Sequence, residues 1–170
     1  MELRHATKEL HHRAEQHPIG SSMANGTMPE KWWVDWIHAL KVIHEVIDEN
    51  VPDSIKRVAE LAADEKACTL EPIPTKVAAE YAESIRGKQD EIDAATYVLV
   101  GAHLMGGAIT EKNIGHRLPC EHVRWKDRAQ STRDWKPLRD RSDLVDSANR
   151  TFAVLIDVMD EILEHRGNIQ

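Results

Sequence analysis

Along most of this chain apolar residues return every three or four positions, the spacing of one face of a helix. Residues 3 to about 17 carry Leu3, Ala6, Thr7, Leu10 and Ala14 on one side, and Pro18, Gly20, Ser21 and Ser22 are expected to stop that helix. Pro29 is expected as the first residue of a second helix, with Thr27 as its cap. Its stripe is Trp32, Trp36, Leu40, Ile43 and Ile47, it ends before Pro52, and Trp33 is a candidate surface contact. A third helix is predicted over about 53–67, from Asp53 or Ser54, and a fourth over about 74–86, closed by Gly87. The fifth opens near Asp90, carries Ile92, Ala95, Leu99, Ala102 and Gly106 on one side, and ends at Gly115 to Pro119. Residues 120–135 read as a charged loop or broken helix. A last region, about 136–166, buries Leu144, Ala148, Phe152, Leu155, Met159 and Ile162. β-Branched residues never alternate over six or more positions, so no strand is expected. The pattern predicts an all-α fold, a single-domain helical bundle over residues 1–170.

Composition narrows the partners. At 170 residues the chain suits one domain with a sizeable core. A net charge of −7 argues against general nucleic-acid binding, which needs a basic footprint. No apolar run approaches the roughly 18 residues of a membrane span. The opening "MELRHATKELHHRAEQH" is polar and helical, unlike a signal peptide. No membrane partner and a cytoplasmic location are therefore expected. Cys68 and Cys120 lack CxxC spacing and read as reduced thiols.

The chemistry concentrates in three places. "LVGAHLMGGAI", residues 99–109, holds Gly101, Gly106 and Gly107, although each glycine costs a helix interior about 1 kcal/mol relative to alanine. Ala102, His103 and Gly106 lie within about 100° of one another on the helical wheel, a smooth patch beside one imidazole. Either a closely packed helix or a flat ligand accounts for it. In the first helix, His11 borders the apolar face and Glu15 follows one turn later on the same side. A neutral imidazole is a good axial ligand for haem iron, and a carboxylate could receive its other N–H. His12 is expected in solvent, and His5, His17, His38, His44, His116, His122 and His165 read as surface or capping residues. Between Arg124 and Arg141 seven cations, including Lys136 and Arg139, stand against three aspartates. That segment is either a solvated loop or a contact for an anionic partner, such as a carboxylate-bearing ligand or an acidic protein.

These residues together resemble a family. "LRHATKELHHRAEQ", residues 3–16, is similar to the first helix of the haem oxygenases, matching at Ala6, Thr7, Lys8, Glu9, His11, Ala14 and Glu15 the run that carries their proximal haem ligand. "AHLMGG", residues 102–107, resembles the Gly-rich, kinked distal helix of the plant-like branch, and Tyr97 falls where the family often has a tyrosine. "ANRTFAVLIDVMDEI" looks like the family's last helix, whereas residues 110–140 depart from it in length and content.

The resemblance implies a haem oxygenase bundle with a Gly-kinked distal helix. It implies oxidative cleavage of haem to biliverdin, the IX-alpha isomer, with release of iron and carbon monoxide. Haem is then substrate and cofactor together, and O₂ and electrons from a ferredoxin or a reductase complete the reaction. His11 would bind iron, with Glu15 orienting it. Ala102, Gly106 and Gly107 would lie bare against the porphyrin, and His103 and Tyr97 would hold a proton route. Arg4 and Lys8 would face the haem edge, and Lys136, Arg139 and Arg141 would clasp propionates. Two other readings stay open: a non-catalytic haem-binding or sensor protein, and a non-haem di-iron oxidase on the same scaffold. The latter needs Glu-x-x-His pairs on inward faces. Glu9 with His12 and Asp35 with His38 have a comparable spacing but point away from the apolar stripes.

Overall fold

A computed structural model describes residues 3–167, and every regular element among them is helical. The ten α-helices are α1 (Leu3–Ala6), α2 (Lys8–Gln16), α3 (Pro18–Asn25), α4 (Glu30–Ile47), α5 (Val58–Ala67), α6 (Lys76–Ile85), α7 (Gln89–Met105), α8 (Gly107–Ile114), α9 (Arg128–Arg139) and α10 (Val145–Arg166). Short 3-10 turns fill Asp48–Asn50, Asp53–Ile55, Glu121–Val123 and Ser142–Leu144. The all-α expectation is met. Among the described residues no single helix is long and apolar enough to cross a membrane; α7 and α8 would pass only as a bent pair, and most of α7 is buried.

Several predicted boundaries move for local reasons. The first helical stretch ends at Gln16, as expected, but Pro18 also opens a further helix, α3. Its ring fixes the φ that a first helical turn needs, and His17 Nδ1 accepts the Ile19 N–H as a cap. Thr27 does not cap α4: Pro29 holds that position, and its carbonyl accepts the Trp32 and Trp33 N–H groups. The expected helix over 53–67 is a 3-10 turn followed by α5. The 120–135 segment resolves into the Glu121–Val123 turn and most of α9.

Three of these starts are capped by acids from elsewhere in the chain. Asp48, at the end of α4, accepts the Arg57 and Val58 N–H groups that open α5. Glu161 of α10 accepts the Lys76 and Val77 N–H groups that open α6, while the Thr75 hydroxyl beside them has no hydrogen-bond partner. Asp64 of α5 accepts the Glu121 and His122 N–H groups. Each cap satisfies donors that a helix start otherwise leaves unpaired.

The core runs through α4, α7 and α10, with Trp32, Ile37, Ile43, Leu99 and Ile162 sealed inside. Burying each such side chain stabilises the fold by about 1.5–3 kcal/mol. Trp33 is also sealed, donating to the Pro119 carbonyl at 2.7 Å, so it offers no surface contact. Asp35, expected to point away from the core, is wholly buried and held by two Arg166 nitrogens and the Ile73 N–H. Both cysteines are free thiols.

Candidate functional site

The first helix bends at Thr7, whose hydroxyl donates back to the Leu3 carbonyl at 2.9 Å, and continues as α2. Leu3, Thr7 and Ala14 point inward, which leaves His11 on the flank with about half its side chain exposed. There its ring stacks on Phe152 of α10, with centroids 5.2 Å apart and planes 20° from parallel. Glu15 pairs with His11, at Nε2, 2.9 Å away. Both side chains are more than half exposed, so the pair is worth under about 1 kcal/mol and opens readily.

Both α2 and α7 pack on α10, while α3 closes against α8. Asn113 and Arg117 secure that closure by donating to the Ala24 and Gly26 carbonyls. The helix carrying His11 and the glycine-rich helix therefore stand on a common floor, with Phe152 in it.

The glycine-rich helix breaks at Gly106, and α7 and α8 meet there at 51°. Its two faces differ sharply. On one, Ala102, Met105, Ala108 and Ile109 are exposed; Met105 and Ile109 keep 53% and 59% of their surface in solvent. A side chain added at Gly106 would meet nothing there except the Ala102 carbonyl. An open apolar surface on a bend makes this face a candidate ligand-binding surface.

The opposite face packs inward, and it corrects two expectations. His103 is turned into the core, 5% exposed, with its Nε2 3.2 Å from that of His44 and its ring edge-on to His122. Gly107 is bare because Val123 occupies the space: an added Cβ would lie 2.8 Å from the Val123 Cβ. Neither residue joins the exposed face with Ala102 and Gly106. Gly101 is bare for the same kind of reason, since Trp135 of α9 would meet its Cβ at 2.8 Å. Tyr97 is buried and stacked on that same Trp135, whose indole donates to the Tyr97 carbonyl.

His44 and His122, read from sequence as surface or capping residues, are buried. Burial lowers the His44 pKa, although Asp48 opposes the shift. The His103 pKa is held well below the usual histidine range by burial first, then by neighbouring His122, His44 and Arg57. His44 could have been found: it follows Leu40 by four positions and precedes Ile47 by three, on the apolar stripe itself. His122 lies in a turn, where no periodicity reports burial.

The basic residues separate into available and engaged. Arg4, Lys8 and Lys136 are exposed and have no ion-pair partner among the described residues. Lys8 also borders a depression of about 500 Å³ with His5, Ala6, Glu9 and His12. Arg139 lies 3.9 Å from Asp140. Arg141 is engaged by Asp90, Asp93 and Asp143, at 3.1, 3.2 and 2.7 Å. Three carboxylates on one guanidinium leave it unsuited to clasp a further anion.

The di-iron pairs do not assemble. Glu9 and His12 are exposed, while Asp35 pairs with Arg166 and His38 with Glu65. Among the described residues no three His, Cys, Asp or Glu side chains are placed to share a metal ion.

No family model and no curated sequence matches the chain. Solved structures do. Haem oxygenase-1 of the cyanobacterium Synechocystis in complex with haem superposes with a TM-score of 0.78 at 16% identity, over 96% of this chain and 90% of that one. The Leptospira interrogans haem oxygenase gives 0.78 at 18% identity, over 94% and 97%. Synechocystis haem oxygenase-2, bound to haem and NO, gives 0.77 at 17% identity, over 97% and 86%. Residues 3–167 thus have the all-helical fold of the haem oxygenases, with the first helix and the kinked helix set on one floor.

Proposed function

We propose that the chain is a haem oxygenase, opening the haem ring to biliverdin with release of iron and carbon monoxide. The observation that supports this most is a pairing of features: a half-exposed imidazole stacked on Phe152, and a bent helix that exposes apolar Ala102, Met105 and Ile109 at the bend and lacks a side chain at Gly106. Such a pair fits a flat, largely apolar ligand with a metal at its centre. Haem, when bound, would supply the iron at which O₂ is activated and the ring that is oxidised.

The protein's part is placement. His11 offers a nitrogen ligand, and Phe152 restricts its ring to one plane. Because Glu15 holds Nε2, ligation through that atom requires the pair to part. With haem bound, Ala102, Met105, Gly106 and Ile109 would exclude water from the facing side, and the missing side chain at Gly106 would let main chain restrict which ring edge is attacked. That restriction would favour a single product, the IX-alpha isomer. Of the basic residues the resemblance points to, Arg4, Lys8 and Lys136 are exposed and would meet propionates. With His103 and Tyr97 facing inward, proton delivery to the open face falls to solvent ordered by backbone groups. Electrons would come from a ferredoxin or a reductase.

Hemin titration followed by turnover with ascorbate or ferredoxin tests the reading. The expected result is a Soret shift on binding, then bilin absorbance. His11→Ala should abolish most of the shift, and added imidazole should restore part of it. An unchanged spectrum and full turnover in His11→Ala would overturn the ligand assignment. A stable ferrous spectrum in the unmutated protein would identify a haem carrier instead.

A further inference from the structure

The turn at Glu121–Val123 grips both limbs of the bent helix. On the α7 side the His122 ring meets the His103 ring edge-on, with centroids 5.0 Å apart. Trp125, two residues beyond the turn, donates its indole N–H to the His103 carbonyl at 3.2 Å. On the α8 side Val123 fills the space left by Gly107. Behind the turn, Asp64 of α5 takes the Glu121 and His122 N–H groups at 2.6 and 2.9 Å and bonds His122 Nδ1 at 2.6 Å. Residues 121–125 therefore form a strut between α5 and the bend.

The strut closes over three imidazoles that are almost sealed from solvent, with His44 at 0%, His103 at 5% and His122 at 2% exposure. His44 and His103 face each other through their Nε2 atoms at 3.2 Å, so one donates and the other accepts a single shared proton. A second proton would set two N–H groups head to head. The charged groups around the cluster offer it little relief. Asp48 stands 3.4 Å behind His44 but already accepts the Arg57 and Val58 N–H groups. Asp64 is committed to His122 and the strut backbone. Glu121 pairs with Arg124, which also pairs with Glu111. The Arg57 guanidinium lies 3.8 Å over the Trp125 ring and donates to the His122 and Arg124 carbonyls, a cation already beside the cluster.

We propose that this cluster makes the 121–125 strut a pH-sensitive clamp on the bend: closed while the His44–His103 pair is uncharged, released when acid adds a proton to that pair. The lowered pKa values of His44 and His103 agree with a cluster that resists charge until the strut moves. Release would free Gly107 from Val123 and His103 from Trp125, so the strut would no longer hold the angle between α7 and α8. The clamp stands on its own geometry; only its effect on haem rests on the proposed function.

Amide hydrogen exchange on the haem-free protein at pH 7.5 and pH 5, corrected for intrinsic rates, tests the clamp. Amides of residues 101–126 should lose protection by at least about tenfold at the lower pH, while α10 holds. His103→Gln, and independently His44→Gln, keep a nitrogen near the Nε2 position but do not titrate, and each should suppress that loss. Equal protection at both pH values, or the same loss in the unmutated protein and both glutamine variants, would overturn the clamp. Should both variants fail to fold, NMR of histidine-labelled unmutated protein decides: the His103 ring and the Trp125 indole N–H must titrate together, and independent behaviour sinks the proposal. Hemin dissociation measured alongside should accelerate in acid more for the unmutated protein than for the variants. A protein that opens in acid yet never binds hemin would refute the proposed function and leave the clamp; one that binds hemin but shows no opening would do the reverse.

Discussion

Gly106 and Gly107 are neighbours with opposite reasons for being glycine. Gly106 has φ −99°, a value any residue adopts, and an added Cβ would approach only the Ala102 carbonyl, at 3.0 Å. Gly106→Ala should change the stability of the haem-free protein by no more than about 1 kcal/mol. If haem lies on the open face, the same substitution should weaken hemin binding and mix the biliverdin isomers, as product chromatography would show. Gly107→Ala should behave differently. Pushing into Val123 costs about 1–3 kcal/mol, offset by at most about 1 kcal/mol of helix propensity, so urea unfolding should report a net loss. A Gly107→Ala protein as stable as the parent would show that the strut yields easily. In the sequence the two residues look identical, because a bare position records close approach without saying from which side.

Helices were legible where a long apolar stripe exists, and less so where a partner acid sets their start. The α4 stripe through Trp32, Trp36, Leu40, Ile43 and Ile47 was readable, as was Gly87 after α6, which has φ +78°. The start of α6 was readable to within two residues, but its cap was not, because that cap is Glu161, 85 residues away, while the adjacent Thr75 hydroxyl goes unused. The α3 helix was missed because a Pro that follows the end of one helix can also begin the next, and α3 is seen only once it packs against α2 and α8. Of the site, His11 and the bend were visible as motifs, whereas the inward turn of His103 depends on His44 and His122 meeting it from other elements. Glu161→Ala should cost about 1–2 kcal/mol, read as a lower urea midpoint, with hydrogen exchange rising first in α6. Unchanged α6 protection would mean that Glu161 is not its effective cap.

The molecule as a whole keeps a known architecture at 16–18% identity to its structural neighbours, so pattern and packing, more than residue identity, carry the fold. Its response to acid should be a property of the whole chain. Buried neutral histidines bind protons less readily than they do in the unfolded chain, whose histidines titrate near pH 6.5. Their contribution is complete above that pH and is lost as the pH falls below it, by up to about 1.4 kcal/mol per pH unit for each. Urea midpoints measured from pH 8 to pH 5 should hold flat and then drop, with a shallower drop in His103→Gln. A flat profile throughout would rule out a neutral buried pair. The acids of α10 and the arginine at its end have another consequence, for the order of biosynthesis. Asp35 meets Arg166, and α6 meets Glu161, only after the chain as far as residues 161–166 has emerged from the ribosome. Until then an interior carboxylate and an uncapped helix must wait in water, so the nascent chain should reach its native state late, in one closing step.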